Sequence, residues 1–188
     1  MVACEIELLN AKRACLMVID LQERLMKAIH EAERVVENTA FLVRCCQILN
    51  VSILATTQYA KGIGPIVPQI AELLAHTPSV DKMEFNAAFN ADVMAALAKL
   101  PSSVDTLILA GVEAHICIYQ TAIGMMAKGY RVYVAMDAVS SREKRNAKAA
   151  LKQLQSFGVV VMPAETIVYE MLARAGTSEF KAILPYVR

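Results

Sequence analysis

The sequence predicts an α/β fold, a three-layer sandwich around a mostly parallel sheet of about six strands. Three observations carry that expectation. Short apolar runs alternate along the chain with longer segments of helical spacing. The runs are almost continuously apolar, as strands covered on both faces must be. The segments between them are long enough for the crossover connections that parallel strands require.

Residues 14–20 (ACLMVID), 51–57 (VSILATT), 105–110 (DTLILA), 131–136 (RVYVAM) and 159–162 (VVVM) read as buried strands, with a shorter sixth at 79–82. Helical spacing over 33–49 places Val36, Ala40, Val43 and Gln47 on faces away from Glu33, Glu37 and Arg44. A helix over 91–100 follows Asn90, whose side chain suits an N-cap. Helices over 114–128 and 143–157 stop at Gly129 and Gly158, a common way to end one. Strands and crossovers in this order give a Rossmann-like sheet.

Composition bounds the function. With 188 residues, no linker and no internal repeat, residues 1–188 are expected to form a single domain. The hydrophobic fraction of 56% indicates a large core, and 7 Gly with 6 Pro leave little room for long loops. A net charge of +1 with no basic stripe argues against a nucleic-acid partner. The apolar stretch 114–127, bounded by Glu113 and Lys128, is shorter than the roughly 18–20 residues a bilayer needs, so no membrane partner is expected. Glu5, Glu7, Lys12 and Arg13 do not make a secretory signal, and five irregularly spaced Cys suggest neither disulfides nor structural zinc. A reducing, cytoplasmic setting is the expectation.

In such sheets ligands bind beyond the carboxyl ends of the strands, near the point where strand order reverses. Polar residues at strand ends are therefore the ones to weigh: Asp20, then Thr56, Thr57 and Gln58, then Lys82, Gly111 and Asp137. Asp20 is either a turn or N-cap aspartate, or a general base whose ionisation is set by burial and a nearby cation. Lys82 taken alone is a solvated surface charge; brought beside Asp20, it would hold that carboxylate ionised. Cys117 lies where a strand hands over to a helix in LAGVEAHICIY (109–119). The helix dipole and free amides there favour a thiolate, and the same amides suit an oxyanion. The alternative for Cys117 is a buried structural thiol, the reading that fits Cys15, Cys45 and Cys46. His115, two residues away on a helix, faces elsewhere and is orienting or incidental. His30 and His76 lie in polar helix-end contexts.

Asp20, Lys82 and Cys117, in this order on this strand pattern, resemble the isochorismatase-like cysteine hydrolases. The landmarks are VIDLQ (18–22), LATTQYAKGIGP (54–65), DKMEFNAAF (81–89), LAGVEAHICI (109–118), AMDAVSSR (135–142) and GVVVMPAETIVYEML (158–172). The resemblance implies that Cys117 is a nucleophile, that Asp20 moves its proton, and that Lys82 poises the pair. It also implies a cis peptide at Val112–Glu113 and an oxyanion hole from the backbone amides of Glu113 and Cys117. Metal-dependent nicotinamidases in this superfamily carry an Asp-x-His motif where this chain has Thr56-Thr57-Gln58-Tyr59, so the resemblance is to the metal-free subgroup, with no metal and no cofactor expected.

Two functional readings follow. One is a hydrolase cleaving a small amide, carbamoyl or related C–N bond through a covalent Cys117 intermediate, in a pocket lined by Leu21, Gln58, Tyr59, Phe85 and Ile116. The other is a non-catalytic oligomeric or partner-binding protein on an inherited fold. An isochorismatase-type vinyl-ether hydrolase is a further alternative, from which the cysteine points away. A small-molecule substrate and a homo-oligomer, a dimer or larger, are expected. Ten Met residues suit a subunit interface, with Met125 and Met126 as possible contacts.

Overall fold

The structure, a computed structural model, describes residues 7–187; Cys4 and Glu5 lie outside them. Strands β1 (Ala14–Ile19), β2 (Ser52–Gln58), β3 (Ser79–Lys82), β4 (Thr106–Val112), β5 (Arg131–Ser140) and β6 (Val160–Met162) form one sheet. Its order is β3-β2-β1-β4-β5-β6, and every pairing is parallel. The helices are α1 (Glu23–Met26), α2 (Ala32–Ile48), α3 (Ala60–Ile63), α4 (Pro68–Leu73), α5 (Ala91–Ala98), α6 (Tyr119–Ala127), α7 (Lys144–Ser156), α8 (Ala164–Leu172) and α9 (Ser178–Ile183). Strand order reverses between β1 and β4, so the carboxyl ends of these two central strands flank the switch point.

Strand alternation divides the core into two layers. From β1, Leu16 and Val18 join α2, α4, α8 and α9 on one face through Val35, Leu42, Ile70, Ile167 and Ile183. Cys15, Met17 and Ile19 join α5, α6 and α7 on the other, through Val93, Leu97, Ala122, Met125 and Leu154. Every residue of β1 is buried, which is why its sequence shows no polar alternation. The side chain of Asn90 caps α5 by accepting from Val93 N–H at 3.0 Å.

Four expectations are corrected. In α2 the buried stripe is Val35, Thr39, Leu42, Val43, Cys45 and Cys46, while Val36 and Ala40 are half-buried and Gln47 is exposed. The stripe is rotated because α2 packs against the sheet, α4, α8 and α9 at once, and the smaller buried residues admit close approach. Met125 is fully buried in the core on the α5–α7 side of the sheet, so it offers no open subunit contact, while Met126 is half-buried beside it. The helix expected over 114–128 opens as a π-helical turn, Ala114–Ile118, before α6 begins. Strand β5 runs on to Ser140 instead of stopping at Met136, through an irregularity that takes its pairing from Leu109↔Val134 to Gly111↔Val139. Such a bulge re-aims the strand beyond it. Here it exposes Met136, lets Asp137 accept from Ala164 N–H at 2.8 Å at the start of α8, and delivers Ser140 opposite Val112.

Gly111 pairs with Ile19 where β1 and β4 flank the switch point. Its φ is +122°, and a Cβ there would lie 1.9 Å from the carbonyl oxygen of Ile19. Both the left-handed backbone and the backbone contact require glycine. Gly111→Ala is expected to destabilise the fold by about 4 kcal/mol or more, read as loss of the urea unfolding midpoint.

Burial also sets a pH limit. Cys15 and Cys45 are fully buried, and desolvation pushes each thiol up to about 12; desolvation drives Cys46 well up too. In the unfolded chain these thiols ionise near the ordinary cysteine value, about 8.5. Above that pH the folded state holds more protons than the unfolded one, so stability falls as pH rises. The expected slope is about 1.4 kcal/mol per pH unit for each thiol, absent below pH 8. Denaturant unfolding in reducing buffer at pH 8 to 10.5 checks it, and Cys45→Ala should flatten the slope.

Candidate active site

Asp20 ends β1 with φ +57°, a left-handed conformation that Asp tolerates better than most residues. Its N–H donates to Thr56 C=O at 3.1 Å and its C=O accepts from Gln22 N–H at 2.8 Å. The turn leaves the carboxylate at the carboxyl edge of the sheet, fully buried. Oδ1 accepts from the Thr56 hydroxyl at 2.8 Å and Oδ2 from Lys82 Nζ at 2.7 Å. Lys82 also donates to Gln58 Oε1 at 2.8 Å.

This is a dry ion pair: both side chains are fully buried. Removing either charge from water costs several kcal/mol, so the pair persists only because each ion meets the other plus further hydrogen bonds. Gln58 is itself held. Its Nε2 donates to Met83 C=O at 2.8 Å, its N–H to Gln22 Oε1 at 2.7 Å, and its C=O accepts from Gln22 Nε2 at 3.1 Å. The buried Gln22 thereby ties the exit of β1 to the exit of β2, and Gln58 ties that exit to Lys82 on β3.

Cys117 lies in the π-helical turn after β4, 6% exposed, where Cys15, Cys45 and Cys46 are completely covered. The carbonyl of Glu113 accepts from Ile116 N–H at 3.0 Å and Ile118 N–H at 3.2 Å, so one oxygen anchors the amides on either side of the cysteine. The Val112–Glu113 peptide is cis. Burial first, then the negative charge of Asp20, push the Cys117 thiol up to about 12; Lys82 and a backbone hydrogen bond from Glu113 pull the other way, and a hydrogen bond to Asp20 adds to the rise. Asp20, Lys82 and Cys117 therefore interact. The helix-start preference for a thiolate is opposed here: desolvation and the carboxylate act more strongly than the ammonium and the Glu113 backbone contact, and push the thiol up.

The five residues expected to line a pocket separate. Gln58 serves Lys82. Tyr59, which starts α3 with φ +43°, and Phe85 are exposed on the rim after β2 and β3, and Ile116 is half-buried next to Cys117. Leu21 is a correction: completely buried in the α2-side core, it is no open wall, because the left-handed turn at Asp20 sends the following side chain into that layer. A cavity of about 460 Å³ lies elsewhere, between α2, the start of α8 and Pro185–Val187, and touches none of the three central residues. Among the described residues no group of three or more His, Cys, Asp or Glu is placed to hold a metal ion, and no helix is long and apolar enough to cross a membrane.

Sequence reasoning passed over several contributors. Thr56 was visible as a polar strand-end residue but not as the partner of Asp20. Gln22 gave only one signal, a polar side chain directly after a buried strand. Glu113, Ser141 and Arg142 form a further cluster. Arg142 N–H donates to Glu113 Oε2 at 2.9 Å and its Nε to the same carboxylate at 3.2 Å, while His115 Nδ1 lies 2.8 Å from the Ser141 hydroxyl.

Breaking the ion pair from one side strands a buried carboxylate. Lys82→Met is expected to cost about 3–5 kcal/mol, whereas the double variant Asp20→Asn/Lys82→Met should cost less than the sum of the two single changes. Urea denaturation of the four proteins checks this.

The isochorismatase domain model matches residues 14–166, from β1 into α8. Isochorismatase domain-containing protein 2 of Danio rerio is 33% identical over 177 residues, covering 93% of this chain and 87% of the relative. Secreted isochorismatase effector Isc1 of Phytophthora sojae is 31% identical over 176 residues, covering 92% and 83%. The structure of MAR1 ribonuclease from Caenorhabditis elegans superposes with a TM-score of 0.88 at 30% identity, over 95% of this chain and 91% of that one. A match that spans the whole sheet, with relatives aligned over most of their own length, places the chain in the isochorismatase family of hydrolases.

Proposed function

We propose that the protein is a cysteine hydrolase that cleaves a small amide, carbamoyl or related C–N bond through a covalent Cys117 intermediate. The observation that carries this reading is the buried Asp20–Lys82 pair set against the one described thiol that is not wholly covered. A thiol held protonated beside an ionised carboxylate is arranged for proton transfer during attack.

In the first half-reaction Asp20 takes the Sγ proton as sulfur adds to the substrate carbonyl carbon. The C=O electron pair moves onto oxygen, where the backbone amides of Glu113 and Cys117 receive it. One such donor is worth about 2.7–4 kcal/mol in other hydrolases. Collapse of the adduct breaks the C–N bond, and the amine departs with the proton held by Asp20. In the second half-reaction Asp20 accepts a proton from water as its oxygen attacks the thioester. The sulfur leaves and takes that proton back from Asp20, so the carboxylate and thiol are restored and the products are the acid and the amine. Lys82 balances the carboxylate charge throughout, and Gln58 and Thr56 fix the geometry of the pair.

This reading assigns Gln58 to a polar floor, Ile116 to an apolar wall, and the exposed Tyr59 and Phe85 to the rim, the mixture that small-molecule sites use. A nucleophilic sulfur beside a base favours this route over vinyl-ether hydrolysis. Exposed Met83 and Phe89, 66% and 75% accessible, favour a homo-oligomer in which this rim is partly covered.

A panel of small primary amides and carbamoyl compounds, screened by ammonia release, tests the activity. Cys117→Ala should lose turnover by about 10³-fold or more, and rapid quenching should trap an acyl adduct on Cys117 by intact mass. Absence of turnover across the panel, with no adduct, would remove the reading.

The pH dependence separates the role of Asp20 from simple charge stabilisation. Iodoacetamide labelling of Cys117 in the parent protein should climb by about tenfold per pH unit without a plateau below pH 10, as a thiol raised to about 12 requires. Asp20→Asn removes the anion and leaves Lys82, so the labelling curve should move to lower pH while turnover disappears. Retained turnover in that variant would show that the carboxylate carries no proton.

A further inference from the structure

The AVSSR segment at the end of β5 takes no part in the chemistry described above, yet it grips the nucleophile turn at two points. The Glu113 carboxylate, 7% exposed, accepts the Arg142 N–H at 2.9 Å and the Arg142 Nε at 3.2 Å. Two residues on, His115 Nδ1 meets the Ser141 hydroxyl at 2.8 Å, and Ser141 is completely buried. The segment is braced from behind: His30 N–H donates to Ser141 C=O at 3.0 Å, and the Ser140 hydroxyl donates to His30 C=O at 2.7 Å.

Glu113 is also the residue whose main chain surrounds Cys117. Its carbonyl holds the amides of Ile116 and Ile118. Fixing its side chain therefore fixes the orientation of the peptide groups around the sulfur. From this geometry we infer that Glu113, clamped by Arg142, and His115, clamped by Ser141, are positioning residues that hold the Cys117 turn in its reactive arrangement. The inference rests on reading Cys117 as the nucleophile, and it gives the two side chains nearest that nucleophile in sequence a task other than acid–base catalysis. A buried carboxylate with two hydrogen bonds from one arginine is engaged, and a histidine whose Nδ1 is bonded to a buried hydroxyl is oriented. The backbone hydrogen bond from Glu113 that favours ionised sulfur agrees with this role.

Glu113→Ala, Glu113→Gln and Arg142→Ala, made in the full chain, test it with iodoacetamide as the probe. Glutamine keeps an acceptor for the Arg142 N–H and removes only charge, so it separates positioning from electrostatics. Glu113→Ala is expected to slow Cys117 labelling at pH 9 by about tenfold or more, as misplacement of a reacting group does. Glu113→Gln should remain within about threefold of the parent. Arg142→Ala, which keeps the backbone contact and alters an exposed side chain, should fall between them. In all three, Cys15, Cys45 and Cys46 should stay protected and the melting temperature should hold, which a general loosening of the fold would not allow. Parent-like labelling in Glu113→Ala overturns the inference. If that variant does not fold, parent-like labelling in Arg142→Ala overturns it instead. A failure of the amide panel with these labelling effects intact would instead count against the hydrolase reading, so the two stand or fall separately.

Discussion

A lysine ammonium and an aspartate carboxylate, both sealed from water at 2.7 Å, set the terms for the rest of the site. In the low dielectric of the sheet edge their attraction is strong, but so is the cost of having desolvated them. That cost explains the surrounding polar side chains. Thr56 satisfies the second carboxylate oxygen and Gln58 gives the ammonium a second acceptor. Gln22 holds Gln58 in turn. Each contact is modest alone; together they leave neither ion short of a partner, and they lock the exits of three strands to one another.

The sheet supplies the place for that pair. Because strand order reverses between β1 and β4, the chain leaves these neighbouring strands in opposite directions across the sheet, which opens a crevice at their carboxyl ends. Gly111 lets the two strands meet at a distance no other residue permits. Asp20 leaves one strand and Cys117 follows the other, while β3, at the sheet edge, sends Lys82 inward. The irregularity in β5 brings Ser141 and Arg142 alongside the turn that carries the thiol. Carboxylate, ammonium and sulfur thus come from the ends of three strands, and the contacts to the turn that carries the sulfur from a fourth.

A thiol in this setting is not the exposed thiolate that a helix N-terminus promises. The π-helical turn places Cys117 under enough cover, and close enough to Asp20, that its thiol is pushed up to about 12. In the proposed reaction its proton passes to a carboxylate already in position. On that reading nucleophile and base are coupled more tightly than with a stabilised thiolate, and the placement of the turn, which we infer to rest on Glu113 and His115, has direct chemical weight.

The strands were legible in the sequence because burial on both faces leaves an unbroken apolar run, and the helices because capping and stop residues such as Asn90, Gly129 and Gly158 act within a few residues of themselves. Asp20, Lys82 and Cys117 stood out through strand-end position and family resemblance. Everything that depends on what lies across space did not: whether Lys82 was a surface charge or a buried ion, that Leu21 turns into the core, that Met125 is covered, and that β5 continues past its bulge to reach Glu113. The sequence by itself determined the order of the elements and the residues that leave them, since hydrophobic period and chain-local hydrogen bonding are properties of short segments. Only the tertiary structure decided protonation, pairing and support, because desolvation and Coulomb interactions depend on neighbours contributed by residues tens of positions away.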